Sequence, residues 1–146
     1  MPLVPMRLLL ATVAAAAPVP HGALLAIDAQ AGYHNFLPTR MLAGFGYRSW
    51  SYRGGTLRVE FRNRAGLVLE WRVQPLSGTC DAGRQGSYQL GGNKVWWARR
   101  AGEQVAWRCV FDQAGKPLRL AAASSAPAAR LAGAGLGTVV AHARRY

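Results

Sequence analysis

The chain has 146 residues, with 18 Lys and Arg against 6 Asp and Glu, a formal charge of +12. That length fits one domain and excludes a catalytic domain set beside a regulatory one. A hydrophobic share of 51% is too high for a disordered polycation, and no apolar run reaches the roughly 18–20 residues of a membrane span before Pro or Asp breaks it.

The N-terminus reads as an address. Arg7 is the only charge before Asp28; the apolar run 8–17 follows, and Ala29-Gln30-Ala31 has the A-x-A form of a cleavage site. The expectation is a signal peptide over 1–31, with Met6 as an alternative start and Pro18, Pro20 and the apolar patch 23–27 as departures from the pattern. The competing reading is a buried N-terminal helix, which the two prolines argue against. Cleavage after Ala31 leaves a single β domain over 32–146, still at +12. Export makes the two cysteines, Cys80 and Cys109, a disulfide pair in a secreted or periplasmic protein.

Sliding the chain 36 residues along itself aligns 48–73 with 84–109, with ten of 26 positions identical, Trp71-Arg72 and Trp107-Arg108 among them. Each copy reads as a three-stranded antiparallel meander. In the first, Gly54-Gly55 is a two-residue hairpin loop and Arg64-Ala65-Gly66 a three-residue one. This register puts Trp50, Tyr52, Leu57, Val59, Phe61, Leu69, Trp71 and Val73 on one apolar face. It sets Glu60 opposite Glu70 and Arg58 opposite Arg72. The same register in the second copy buries Val95, Trp97, Val105, Trp107 and Cys109 together and sets Lys94 opposite Arg108. Beyond it come a turn at Asp112-Gln113-Ala114-Gly115, a strand at 117–121, a small-residue connection over 122–135 with one helical turn near 128–131, a last strand at 136–141 and an exposed end at 144–146. About eight strands follow, as a small antiparallel barrel or a two-sheet sandwich.

Little chemistry is visible. His34 and His142 sit in no metal-spaced or nucleophile motif, and no cofactor or metal is expected. Glu60 and Glu70, about 5 Å apart at their β-carbons, have the spacing of a retaining glycosidase pair, but Arg58, Arg62 and Arg72 stand beside them as neutralising partners. The repeated basic pairs are more telling. Arg58, Arg72, Lys94, Trp96 and Arg108 are the expected ligand-binding residues, a basic face with a surface indole suited to an anionic envelope polymer, glycan or protein. Two alternatives stand beside this non-catalytic module. One is an apolar-ligand carrier lined by Trp50, Tyr52, Trp71, Trp97 and Trp107 in a hollow lipocalin-like barrel. The other is a small glycan hydrolase using Glu60 and Glu70. Specific nucleic-acid binding is not expected, because no binding motif is present and export separates the protein from cytoplasmic nucleic acid.

Overall fold

Alternation and paired glycines build the strands. The computed structural model describes residues 18–125 and 135–146. Its nine strands are β1 Phe36–Pro38, β2 Gly46–Arg53, β3 Thr56–Arg62, β4 Val68–Pro75, β5 Gly86–Leu90, β6 Asn93–Arg100, β7 Glu103–Phe111, β8 Pro117–Ser124 and β9 Ala143–Arg145. Two α-helices, α1 His21–Ala31 and α2 Leu136–Ala141, and a 3-10 turn at Gly32–His34 complete the described elements. At the β2–β3 turn Gly54 and Gly55 both take positive φ, 58° and 80°, the left-handed geometry that a primed two-residue hairpin requires.

Strands β2 to β8 form one antiparallel sheet in the order β2-β3-β4-β8-β7-β6-β5, and β1 pairs with β9 in a separate two-stranded ribbon. The fold is antiparallel and mostly β, but the sheet is open, with β2 and β5 as its edges. This corrects the expected closed barrel; two antiparallel sheets are present, one of seven strands and one of two. Closure would have needed β2 to meet β5, and the two meanders instead extend outward from a shared central strand.

That central strand, β8, lies between β4 and β7 and is antiparallel to both. Strands β4 and β7 therefore run parallel, and β7 is turned over about β8 relative to β4. Residues of β7 consequently point to the face opposite their β4 equivalents, while the one-residue register change before β7 leaves Tyr88, Val95 and Trp97 of β5 and β6 on the same face as their equivalents Tyr52, Val59 and Phe61. Trp71 joins a cluster with Leu57, Val59, Phe61, Leu69 and Leu120, whereas Trp107 joins Ala98, Val105, Ala121 and Ala123. The single apolar face expected for the two copies forms only in part: Val95 and Trp97 join it, whereas Val105, Trp107 and Cys109 of β7 turn to the other side.

The second meander also departs in register. The first has the expected pairs, Arg58 with Arg72 and Glu60 with Glu70. In the second, a two-residue turn at Ala101-Gly102 sets Arg100 opposite Glu103 and Trp96 opposite Trp107. The register is one residue off the expected Lys94–Arg108 pairing, and a one-residue change moves a whole strand's side chains to the other face.

The inner face, bearing Trp71, is covered by α1, α2 and the β1–β9 ribbon. Their residues Leu24, Ile27, Ala31, Leu37, Val139 and Val140 are all in its core. Trp71 Nε1 donates to the Phe36 carbonyl at 2.9 Å and ties the ribbon to the sheet. Helix α1 starts after both prolines, with Pro20 at its N-cap, and ends at Gly32, whose φ of 54° suits a helix stop. Its buried residues Leu24, Ile27 and Ala31 recur at helical spacing. The expected cleavage site is thus the last turn of a core helix, and cutting after Ala31 would strip these three side chains and Val19 from the interior. The N-terminal run 8–17 and the helical turn near 128–131 lie outside the described residues.

Segment 136–141, expected as a strand, is α2. Its Thr-Val-Val run favours β structure, but five of the six residues are buried against β6, β7 and β8. Tertiary packing overrides the local preference here.

The β4–β5 connection, residues 76–85, must travel from the middle of the sheet to its far edge. It does so over the outer face, passing above β7, where Cys80 bonds to Cys109. Trp107 Nε1 donates to the Cys80 carbonyl at 2.6 Å. This strap supplies part of the cover that leaves Trp107 at 0% exposure on the face opposite the helices.

Candidate functional site

The outer face is organised in rows that follow from strand register. Ser51, Arg58, Arg72, Ala121, Trp107, Trp96 and Ser87 stand in one line across all seven strands. Alternation adds Arg53, Glu60, Arg62, Glu70, Arg100, Glu103 and Arg119 to the same side. Lys94 belongs to it as well, two residues from Trp96. The face therefore carries seven cations against three carboxylates, half of the six acidic residues in the chain.

Each of those carboxylates is held by arginine. Glu70 accepts from Arg72 Nε and lies 3.7 Å from Arg58 Nε. Glu60 accepts from Arg62 Nε, and Glu103 lies 3.6 Å from Arg72 Nη2. Glu60 and Glu70 are directly opposed, as the alternation implied, but both are engaged as ion-pair acceptors on an open sheet. These pairs are partly exposed and contribute little to stability individually, about 0–1 kcal/mol.

Four of the five expected ligand residues share this face. Arg58 and Arg72 are adjacent on β3 and β4. Lys94 and Trp96 lie on β6, three strand spacings from β4, or roughly 14 Å. Lys94 Nζ sits 5.7 Å from the Trp96 ring centre, and the half-buried indole packs against the cluster that holds Trp107, as Cys80 does. Arg108 is not with them. It points to the inner face, where Nε donates to the Val140 carbonyl at 2.9 Å and Nη2 to the Ala143 carbonyl at 2.7 Å. There it closes the end of α2, and burial pushes its pKa down.

Arg119 takes the place that Arg108 was expected to fill. Its guanidinium carbon lies 4.7 Å from the Trp107 ring centre, a cation–π stack on the buried indole. Burial lowers its pKa most, the neighbouring Arg72 and Arg100 lower it further, and Glu103 opposes them. Alternation along Leu118-Arg119-Leu120 was the signal that pointed Arg119 outward. What it stood beside depended on where β8 entered the sheet.

The sheet is open, and of the five aromatics Trp50, Tyr52, Trp71 and Trp97 share the inner cluster while Trp107 lies on the other face. His34 packs edge-to-face on Tyr52 at 5.6 Å, and the His142 ring hydrogen-bonds the Thr138 carbonyl. Among the described residues, no group of three or more His, Cys, Asp or Glu is placed to hold a metal ion. No described helix is long and apolar enough to cross a membrane. Compared with protein-family models, curated proteins and solved structures, the chain matches none of them.

Proposed function

We propose that this protein is a non-catalytic binding module of an oxidising compartment, and that its outer sheet face takes an anionic polymer. The Cys80–Cys109 disulfide supports the compartment, since such bonds persist outside the reducing cytosol. The observation that carries the binding reading is the surplus of four cations on one strand-ordered face. Arg58, Arg72, Lys94, Trp96 and Arg119 are the contact residues, with Arg108 reassigned to helix capping. A catalytic role for Glu60 and Glu70 has no support beyond their spacing, because arginines already occupy both carboxylates. An export leader on this reading ends upstream of Pro18, leaving α1 in the mature chain.

The test is titration of the full chain with dextran sulfate at several salt concentrations. Affinity should fall steeply with salt, and Arg58→Ala or Lys94→Ala should each weaken binding and flatten the log–log salt slope by about one contact. Binding that ignores salt, or that survives both substitutions unchanged, rejects this face.

A further inference from the structure

We propose that the cleft between the start of α1 and the β1–β9 ribbon binds a medium-chain fatty-acid anion, with the tail in the cleft and the carboxylate on Arg144 and Arg145. The site lies among the elements that cover the inner face, and it does not rest on the basic-face reading. The cleft has a volume of about 220 Å³. Val19 and Leu24 line it from the α1 end, and Leu37, Pro38, Arg144 and Arg145 line it from the ribbon. Val19, Leu24 and Leu37 are buried, so its walls belong to the core. The ribbon is fixed beyond both ends of its ladder. Thr39 Oγ1 donates to the His142 carbonyl at 2.7 Å, and the Tyr146 amide donates to the Asn35 carbonyl at 2.9 Å. Asn35 Nδ2 donates to Asp28 Oδ1 at 2.6 Å and ties the ribbon to α1. The walls therefore stand before a ligand enters, which lowers the ordering cost of binding.

Register and charge select the ligand. Leu37 is paired with Arg144, and directly opposed residues of an antiparallel pair project from the same face. The aliphatic stem of Arg144 thus lies on the apolar side of the ribbon, while the residue as a whole is exposed, as Arg145 is. No Asp or Glu lines the cleft, and among the described residues neither arginine is in an ion pair. An apolar slot with two unpaired cations at its lining is complementary to an amphiphile that has one apolar tail and an anionic head. The planar guanidinium matches a carboxylate with two parallel hydrogen bonds. At about 30 Å³ for each water-sized group, the volume holds roughly seven methylenes, the tail of octanoate.

The experiment titrates the full chain calorimetrically with straight-chain carboxylates from butanoate to decanoate and with 1-octanol, and locates octanoate by amide chemical shifts. Affinity should rise about fourfold per added methylene as far as octanoate and level off beyond it, where the tail outgrows the cleft. Octanoate should bind about tenfold more tightly than 1-octanol. Replacing both exposed arginines, Arg144→Gln with Arg145→Gln, should erase that preference and leave 1-octanol binding unchanged. The shifts should centre on Val19, Leu37 and Arg144. Arg58→Ala and Lys94→Ala, on the outer face, should leave octanoate affinity as it is. Affinity independent of tail length, equal binding of octanoate and 1-octanol by the unaltered protein, or octanoate binding lost in Arg58→Ala or Lys94→Ala overturns the site. So does an absence of octanoate binding at millimolar concentration, the result expected of a cleft filled from within the molecule. Each of these failures leaves the basic face to its own test, the salt dependence of dextran sulfate binding.

Discussion

Arg108 and Tyr88 show how single side chains on the inner face are decided by burial. Arg108 replaces solvent for the last carbonyls around α2, the end of a helix where positive charge is favoured. Arg108→Ala removes two charge-assisted hydrogen bonds and should destabilise by about 2–3 kcal/mol, measured as a urea midpoint shift. It should leave polymer affinity unchanged, which separates capping from binding. The Tyr88 hydroxyl is buried with no hydrogen-bond partner among the described residues, and burial pushes its pKa up to about 12. The unfolded chain ionises first, so stability present below pH 10 is lost as pH rises through 12. Tyr88→Phe should be neutral to about 1 kcal/mol stabilising at pH 7 and should lessen the alkaline loss. Denaturant midpoints at pH 7 and pH 11 check both.

At the scale of elements, the strap 76–85 is the component with most to lose. In the chain-entropy account, a link between residues 29 apart stabilises by about 3–4 kcal/mol. Cys80→Ser should lose about that much stability. It should also loosen the strap from β7 and shift Trp107 emission to the red, a change that intact packing in spite of a lost disulfide would not produce. The turn at Asp112 is a second local device. Its Oδ1 accepts from the Ala114 and Lys116 amides at 2.8 and 2.9 Å, and it sets the β7–β8 hairpin. Asp112→Ala should cost about 1–2 kcal/mol in thermal or urea unfolding, more than an ordinary surface change.

For the whole molecule, the decisive question is where the domain begins. Val19, Leu24, Ile27 and Ala31 close the inner face. Removing them exposes the sheet's largest apolar surface, and at about 1.5–3 kcal/mol per large side chain the loss rivals the whole stability of a small domain. A chain starting at residue 32 should therefore fail to fold cooperatively, while one starting at Pro18 should give a sharp unfolding transition. Circular dichroism melts of the two chains test this, and equal melts would remove α1 from the core.

Much of this architecture was legible from local pattern. Two-residue periodicity marked β2 to β7, Gly54-Gly55 fixed the first hairpin, and the face shared by Arg58, Arg72, Glu60 and Glu70 followed from counting across one turn. The cysteine pair was legible because its alternatives lacked partners. Less visible was anything depending on contacts distant in the chain. Helix α2 carries a strand-like sequence that only its seat on β6, β7 and β8 makes helical. Residues 21–31 carry the Ala29-Gln30-Ala31 pattern of a cleavage site, and only the tertiary structure seats Ile27 in the core. The entry of β8 between two meanders exchanged the faces of β7 relative to β4, moved Arg108 inward and brought Arg119 onto the face of Arg72. Strand alternation sorts side chains into two sets with local information alone, because neighbouring residues must point oppositely. Which set faces the core, and which arginines meet across strands, is settled by sheet order, and that order depends on burial shared between segments far apart in the chain.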